Sequence, residues 1–97
     1  MIPLQRHMCP NPEVVDTEMD SHETVLLHLE TKLYYSLNVT GTRIWQGLKK
    51  GLTLHEISQG LQQEFDVEPQ HADDAVRVLM AELQQQHLIQ FVDPKER

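Results

Sequence analysis

Alternation of apolar and polar residues predicts β-strands in the first part of the chain. The segments ETVLLHLE (23–30) and LYYSLN (33–38) each place apolar side chains at every second position, the pattern of a half-buried strand. A short link joins them, so we expect a hairpin, with Lys32 at a turn position that glycine would occupy more easily. The segment EVVDTE (13–18) predicts one more short strand.

After Asn38 the apolar period lengthens to between three and four residues, which predicts three helices. The first helix, TGTRIWQGLKKG (40–51), is preceded by capping residues and ends at a glycine. The second begins with TLHE (53–56), a capping box. The third runs from Pro69 to about His87, and LIQFV (88–92) predicts a last short strand. The inward stripe predicted for the third helix is Ala72, Ala75, Val76, Leu79 and Leu83.

This order of elements predicts an α+β fold, a small winged helix-turn-helix with an N-terminal two- or three-stranded antiparallel sheet followed by three helices. The 97 residues suit a single domain over 1–97, with an irregular N-terminal arm over 1–12 and a tail over 93–97. A chain of this length buries enough surface for one modest core.

Charge argues against a nucleic-acid partner. The chain carries 15 acidic and 8 basic residues, a net charge of −7, and such a surface repels a phosphate backbone. The third helix would be the reading helix of a DNA-binding protein, yet it offers one cation, Arg77, against Asp73, Asp74 and Glu82. No apolar run approaches the roughly 20 residues of a membrane span. A single cysteine, Cys9, favours a reducing cytoplasm.

Catalytic and metal-binding patterns are missing from the sequence. The six histidines are scattered without the paired spacing of a metal site, so we expect them to be solvated on the surface. The four glycines are isolated, and no glycine-rich phosphate loop is present. We therefore expect no catalytic residue, no metal and no cofactor, and a protein that is not an enzyme.

Two adjacent tyrosines stand out in the second predicted strand. Neighbouring strand residues face opposite sides, so Tyr34 and Tyr35 cannot both enter one core. We expect Tyr34 to face outward or into a groove beside the sheet, and Trp45 to fill the core. A sheet this small exposes an edge whose unpaired main-chain groups can accept another strand, and an aromatic side chain beside it is a suitable peptide anchor.

Taken together, these segments resemble the PqqD-like family, also called the RiPP recognition element. The resemblance covers residues 25–89 and departs from the family pattern at Lys32, which replaces the usual hairpin glycine. The positions that carry it are Leu29-Glu30-Thr31, Tyr34-Tyr35, Leu37-Asn38, Thr40-Gly41, Ile44-Trp45, Ile57, Leu61, Phe65-Asp66-Val67 and Leu83.

The resemblance implies a non-catalytic module that binds the leader of a ribosomally synthesised precursor peptide and presents it to a leader peptidase or modifying enzyme. In the family the leader adds as a strand beside the aromatic strand and lies against the third helix. Lys32 and Arg77 are candidates to pair with acidic leader residues. The candidate peptide-binding residues are Lys32, Leu33, Tyr34, Tyr35, Ser36, Leu37, Val76, Arg77 and Met80.

Several functions stay open at the level of sequence. Within the family, the protein would serve lasso-peptide maturation or act as the peptide chaperone of pyrroloquinoline quinone biosynthesis. Outside it, a winged-helix DNA-binding regulator and an interaction adaptor without a leader peptide remain alternatives.

Overall fold

The computed structural model describes residues 8–20 and 22–91, which form five strands and three helices. The element order confirms the predicted α+β fold, with antiparallel strands followed by three helices. The strands are β1 (Met8–Pro10), β2 (Val14–Asp20), β3 (Glu23–His28), β4 (Tyr34–Leu37) and β5 (Ile89–Phe91). The helices are α1 (Val39–Lys49), α2 (Leu54–Phe65) and α3 (Pro69–Gln85).

Strands β2, β3 and β4 form an antiparallel sheet with β3 in the centre. Its inner face packs on α1, and two side-chain contacts reinforce this packing. Lys49 forms an ion pair with Asp16 at 2.7 Å, and the amide of Gln46 donates a hydrogen bond to Glu18 at 3.1 Å. Burial alone would raise the pKa of the Asp16 carboxyl. The hydrogen bond from Lys49 and its positive charge outweigh burial and hold that pKa below its ordinary value.

The hairpin between β3 and β4 depends on two unusual residues. Lys32 adopts a left-handed backbone (φ 65°), which confirms that glycine would be easier to accommodate here. His28 is buried, and its Nδ1 accepts hydrogen bonds from the main-chain N–H groups of Glu30 and Thr31. The expectation that every histidine is solvated is therefore wrong for His28, because this imidazole caps the turn.

The helix ends follow the predicted capping chemistry. Asn38 caps α1 by accepting from the N–H of Gly41 at 2.9 Å. Thr53 and Glu56 form the expected capping box at the start of α2. Pro69 occupies the first turn of α3, where its missing N–H leaves no hydrogen bond unmade. The predicted helix boundaries therefore agree with the structure to within two residues.

The N-terminal segment departs from expectation. Residues 8–10, predicted to lie in an irregular arm, form β1 and pair antiparallel with β5. Met8 is buried, and the side chain of Asn11 donates to the carbonyl oxygen of His87 at 2.8 Å. The rest of the predicted arm that precedes β1, and the tail over 93–97, lie outside the described residues.

One hydrophobic core joins the sheet to the three helices. Trp45 is almost fully buried, as expected, among side chains from every helix. The apolar stripe of α3 is rotated from its predicted position: Ala72, Val76, Met80 and Leu83 are buried, whereas Ala75 and Leu79 are only partly buried. This rotation decides which face of α3 remains available beside the sheet.

Candidate functional site

Strand β4 lies at the edge of the three-stranded sheet. It pairs with β3 on one side, and within residues 8–20 and 22–91 no strand pairs with its other side. Strand edges of this kind present free N–H and C=O groups to which another extended chain can bind.

The register of β4 determines which main-chain groups face the open edge. The N–H of His28 donates to the carbonyl oxygen of Leu33 at 3.0 Å, so this pair is hydrogen bonded. Hydrogen-bonded and non-hydrogen-bonded pairs alternate along an antiparallel ladder. The next residue, Tyr34, and then Ser36 therefore direct their N–H and C=O groups away from β3, into the open edge.

The two tyrosines occupy different environments, as the sequence predicts. The Tyr34 side chain is 72% exposed on the outer face of the sheet. Tyr35 is half-buried on the inner face, and its hydroxyl donates to Glu82 Oε2 of α3 at 3.1 Å. Burial raises the pKa of the Tyr35 hydroxyl, and the hydrogen bond and charge of Glu82 raise it further. Tyr35 thus connects the edge strand to α3.

A groove of about 420 Å³ lies between the end of β4, the first turns of α1, and α3. Below, "the groove" means this space. Its apolar lining is Ile44, Ala75, Val78 and Leu79, and its polar lining is Asn38, Thr40, His71, Asp74 and Glu82, with Gly41 completing the wall. The groove adjoins β4, so an extended chain on the open edge would have side chains within reach of this lining.

The Thr-Gly-x-x-Ile-Trp segment positions the wall of the groove on the α1 side. Gly41 is buried, and a Cβ atom added there would lie 3.2 Å from the side chain of Leu37. A larger residue would force Leu37 to shift by a few tenths of an ångström, so glycine lets the first turn of α1 approach β4 this closely without displacing it. Ile44 and Trp45, which follow on the same helix, anchor this turn in the core.

The structure places the predicted peptide-binding residues in three different environments. Lys32, Leu33, Tyr34, Tyr35, Ser36 and Leu37 run along β4 and the turn before it. Val76 and Met80 have no exposed surface, so the prediction that their side chains line the pocket is wrong. Their place in the groove is taken by Ala75, Val78 and Leu79, on the adjacent stripe of α3.

Arg77 also lies away from the groove. It is four residues after Asp73, which accepts a hydrogen bond from Ser58 of α2, so both residues lie on the α2 side of α3. The groove lining on α3 instead carries Asp74 and Glu82. The prediction that Arg77 pairs with acidic leader residues in the groove therefore conflicts with its position, whereas the exposed Lys32 remains a candidate.

A smaller cavity of about 160 Å³ lies between α1 and α2. The ion pair between Arg43 and Glu64, 2.7 Å long, crosses its lining. All of its described lining residues lie on α1, on α2 or on the link between them, so the groove next to β4 is the better candidate site. In the part of the chain that the structure describes, no cluster of histidine, cysteine or acidic residues could hold a metal ion. No helix in these ranges is long and apolar enough to cross a membrane.

The fold and the site together define a class of protein. It is a winged helix-turn-helix module whose tyrosine-bearing edge strand has one unpaired side, next to a groove on the third helix. Residues 23–89 match the family described as Coenzyme PQQ synthesis protein D (PqqD), and the chain belongs to that family. No curated protein sequence matches the chain.

Solved structures support the same assignment. The fold is similar to TbiB1 in complex with the TbiA(beta) leader peptide, with a TM-score of 0.79 and 31% identity, over 84% of this chain and 93% of that chain. It is also similar to lasso peptide synthetase B1 complexed with its leader peptide, with a TM-score of 0.78 and 26% identity, over 86% of this chain and 96% of that chain.

Proposed function

We propose that this protein binds the leader segment of a ribosomally synthesised precursor peptide, catalyses no reaction itself, and presents the peptide to a leader peptidase or modifying enzyme in the cytoplasm. The observation that carries the proposal is the open edge of β4, where the main-chain groups of Tyr34 and Ser36 face outward beside the groove. The two similar structures, both solved with a leader peptide, support the same reading.

Binding would proceed by strand addition to β4. Main-chain hydrogen bonds to Tyr34 and Ser36 supply affinity that does not depend on sequence, and alternate side chains supply register. A ligand residue opposite Tyr35 or Leu37 points toward the inner face and the groove, because residues opposite one another share a face. Ligand residues opposite Tyr34 and Ser36 lie on the outer face, where the ring of Tyr34 is exposed.

Two observations favour lasso-peptide maturation among the open alternatives. Both similar structures are leader complexes, and one is described as lasso peptide synthetase B1, which favours this pathway over pyrroloquinoline quinone biosynthesis. The exposed acids Asp74 and Glu82 stand on the helix that a DNA-binding relative would place in the major groove, and they would repel phosphate.

The test is a fluorescence anisotropy titration with the labelled leader encoded beside this protein's own coding region, against wild type and the matched variants Ser36→Pro and Ser36→Ala. Proline removes the outward N–H and places its ring in the open edge, but it breaks no hydrogen bond to β3. We expect micromolar or tighter binding to wild type and Ser36→Ala, and at least tenfold weaker binding to a folded Ser36→Pro. Equal binding by both variants would show that the peptide binds elsewhere, and no binding to folded wild type would refute the proposed function.

A further inference from the structure

The groove has two distinguishable ends. The hydrogen bond from Tyr35 places Glu82, near the end of α3, beside the first half of β4. The groove residues from the start of α3, His71 and Asp74, share the lining with Asn38 and Thr40, which follow β4. Along α3, Asp74 lies toward the start and Glu82 toward the end of the groove lining, so the two acids are well separated in the groove.

The charge of the groove is one-sided. Among the described residues that line it, two are acidic and none is lysine or arginine, and both acids are exposed. The apolar lining of Ala75, Val78 and Leu79 lies between Asp74 and Glu82 along the helix. A bound strand would therefore meet negative charge, an apolar surface, and negative charge again.

The spacing of the acids matches that of side chains on a strand. Asp74 and Glu82 are eight residues apart on α3, which is about 12 Å at a helical rise of about 1.5 Å per residue. Strand residues four apart share one face and are about 13 Å apart. Two inward side chains of a bound strand, four residues apart, would thus reach both acids, and the inward side chain between them would meet the apolar lining.

From this spacing we infer that the groove selects leader segments with a particular pattern at three alternate positions whose side chains point inward: a basic residue at i, an apolar residue at i+2 and a basic residue at i+4. Asp74 and Glu82 determine this specificity. The inference rests on the proposed function and adds the chemistry of the ligand. The hydroxyl of Tyr35 donates a hydrogen bond to one carboxylate oxygen of Glu82, which leaves the other oxygen to accept one from a lysine or arginine of the ligand. Each partly exposed ion pair contributes about two- to fivefold in affinity, and added salt weakens it.

The experiment is a display selection of random decapeptides on the folded full chain. The baits are wild type, the double variant Asp74→Asn/Glu82→Gln, the control Glu68→Gln, and Ser36→Pro. Glu68 is an exposed acid directly before α3 that makes no capping bond and does not line the groove, so its removal changes charge without changing the site. A titration of the selected peptides at low and high salt then measures the affinity of each peptide for each protein variant.

We expect wild type and Glu68→Gln to enrich lysine or arginine two positions before and two after an apolar residue, and the double variant to enrich the apolar residue alone. Enrichment without the cations, or cations that persist in the double variant, would overturn the charge specificity and leave leader binding intact. Failure of wild type to enrich any peptide above the Ser36→Pro background would overturn the proposed function, and this inference with it.

Discussion

Substitutions at two nearby positions of α3, Val78 and Met80, should affect peptide binding and folding stability separately. Met80 has no exposed surface and packs in the core, whereas Val78 is 60% exposed and lines the groove. Replacing each by alanine removes apolar contacts from a different place. Met80→Ala leaves a cavity inside the folded protein, and Val78→Ala removes a surface that a ligand would cover.

The magnitudes follow from these environments. Met80→Ala should lower the free energy of unfolding by roughly 2–5 kcal/mol, which for a chain of this size lowers Tm by about 10 °C or more. Val78→Ala should change stability by less than about 0.5 kcal/mol. If the ligand covers the Val78 side chain, losing two methyl groups costs about 1–1.5 kcal/mol of binding free energy, or roughly five- to tenfold in Kd.

Urea denaturation and leader titration at a temperature where both variants are folded measure the two effects. The predicted result is a double dissociation: Met80→Ala is unstable but binds with nearly wild-type Kd, and Val78→Ala is stable but binds weakly. If Met80→Ala weakened leader binding by the folded protein more than Val78→Ala does, the assignment of the binding surface to the stripe of α3 that carries Val78 would be refuted.

Three further predictions follow from individual contacts. Gly60→Ala should stabilise α2 by roughly 0.5–1 kcal/mol, because nothing lies within 4 Å of an added Cβ. Gly47→Ala would place its Cβ 2.7 Å from a buried isoleucine, so in urea denaturation it should be the less stable of the two variants. The raised pKa of the Tyr35 hydroxyl contributes stability that is present below the ordinary value of 10.0 and is lost as pH rises above it. Glu82→Gln should lower this pKa in an absorbance titration, and an unchanged titration would contradict the contact between Tyr35 and Glu82. The lowered pKa of Asp16 contributes stability that is present above 3.8 and lost as pH falls below it, so Asp16→Asn should flatten the acid side of the stability curve.

The local features of the fold were predictable because they depend on neighbouring residues. The caps of α1 and α2, the proline at the start of α3 and the β3–β4 hairpin each follow from chemistry within a few positions. The pairing of β1 with β5 joins residues about 80 positions apart in the chain, such as Met8 and Phe91. Two three-residue strands carry too little periodicity to reveal such a pair.

The rotation of α3 was not predictable for a different reason. Its apolar residues form a stripe wide enough to cover both the core and the groove, so periodicity alone cannot say which margin of the stripe is buried. The sequence therefore predicts Met80 in the groove and Leu79 in the core, whereas in the structure Met80 is buried in the core and Leu79 lines the groove. The family resemblance identified β4 and α3 as elements, but the side chains on α3 required the packed structure.

The most direct test of strand addition is amide hydrogen exchange, followed residue by residue by NMR, with and without the leader peptide. In the free protein the amides of Tyr35 and Leu37, which face β3, should exchange slowly, and those of Tyr34 and Ser36, which face the open edge, should exchange quickly. The account predicts that saturating leader protects the Tyr34 and Ser36 amides. Saturable binding that leaves both amides exchanging as fast as in the free protein would contradict it.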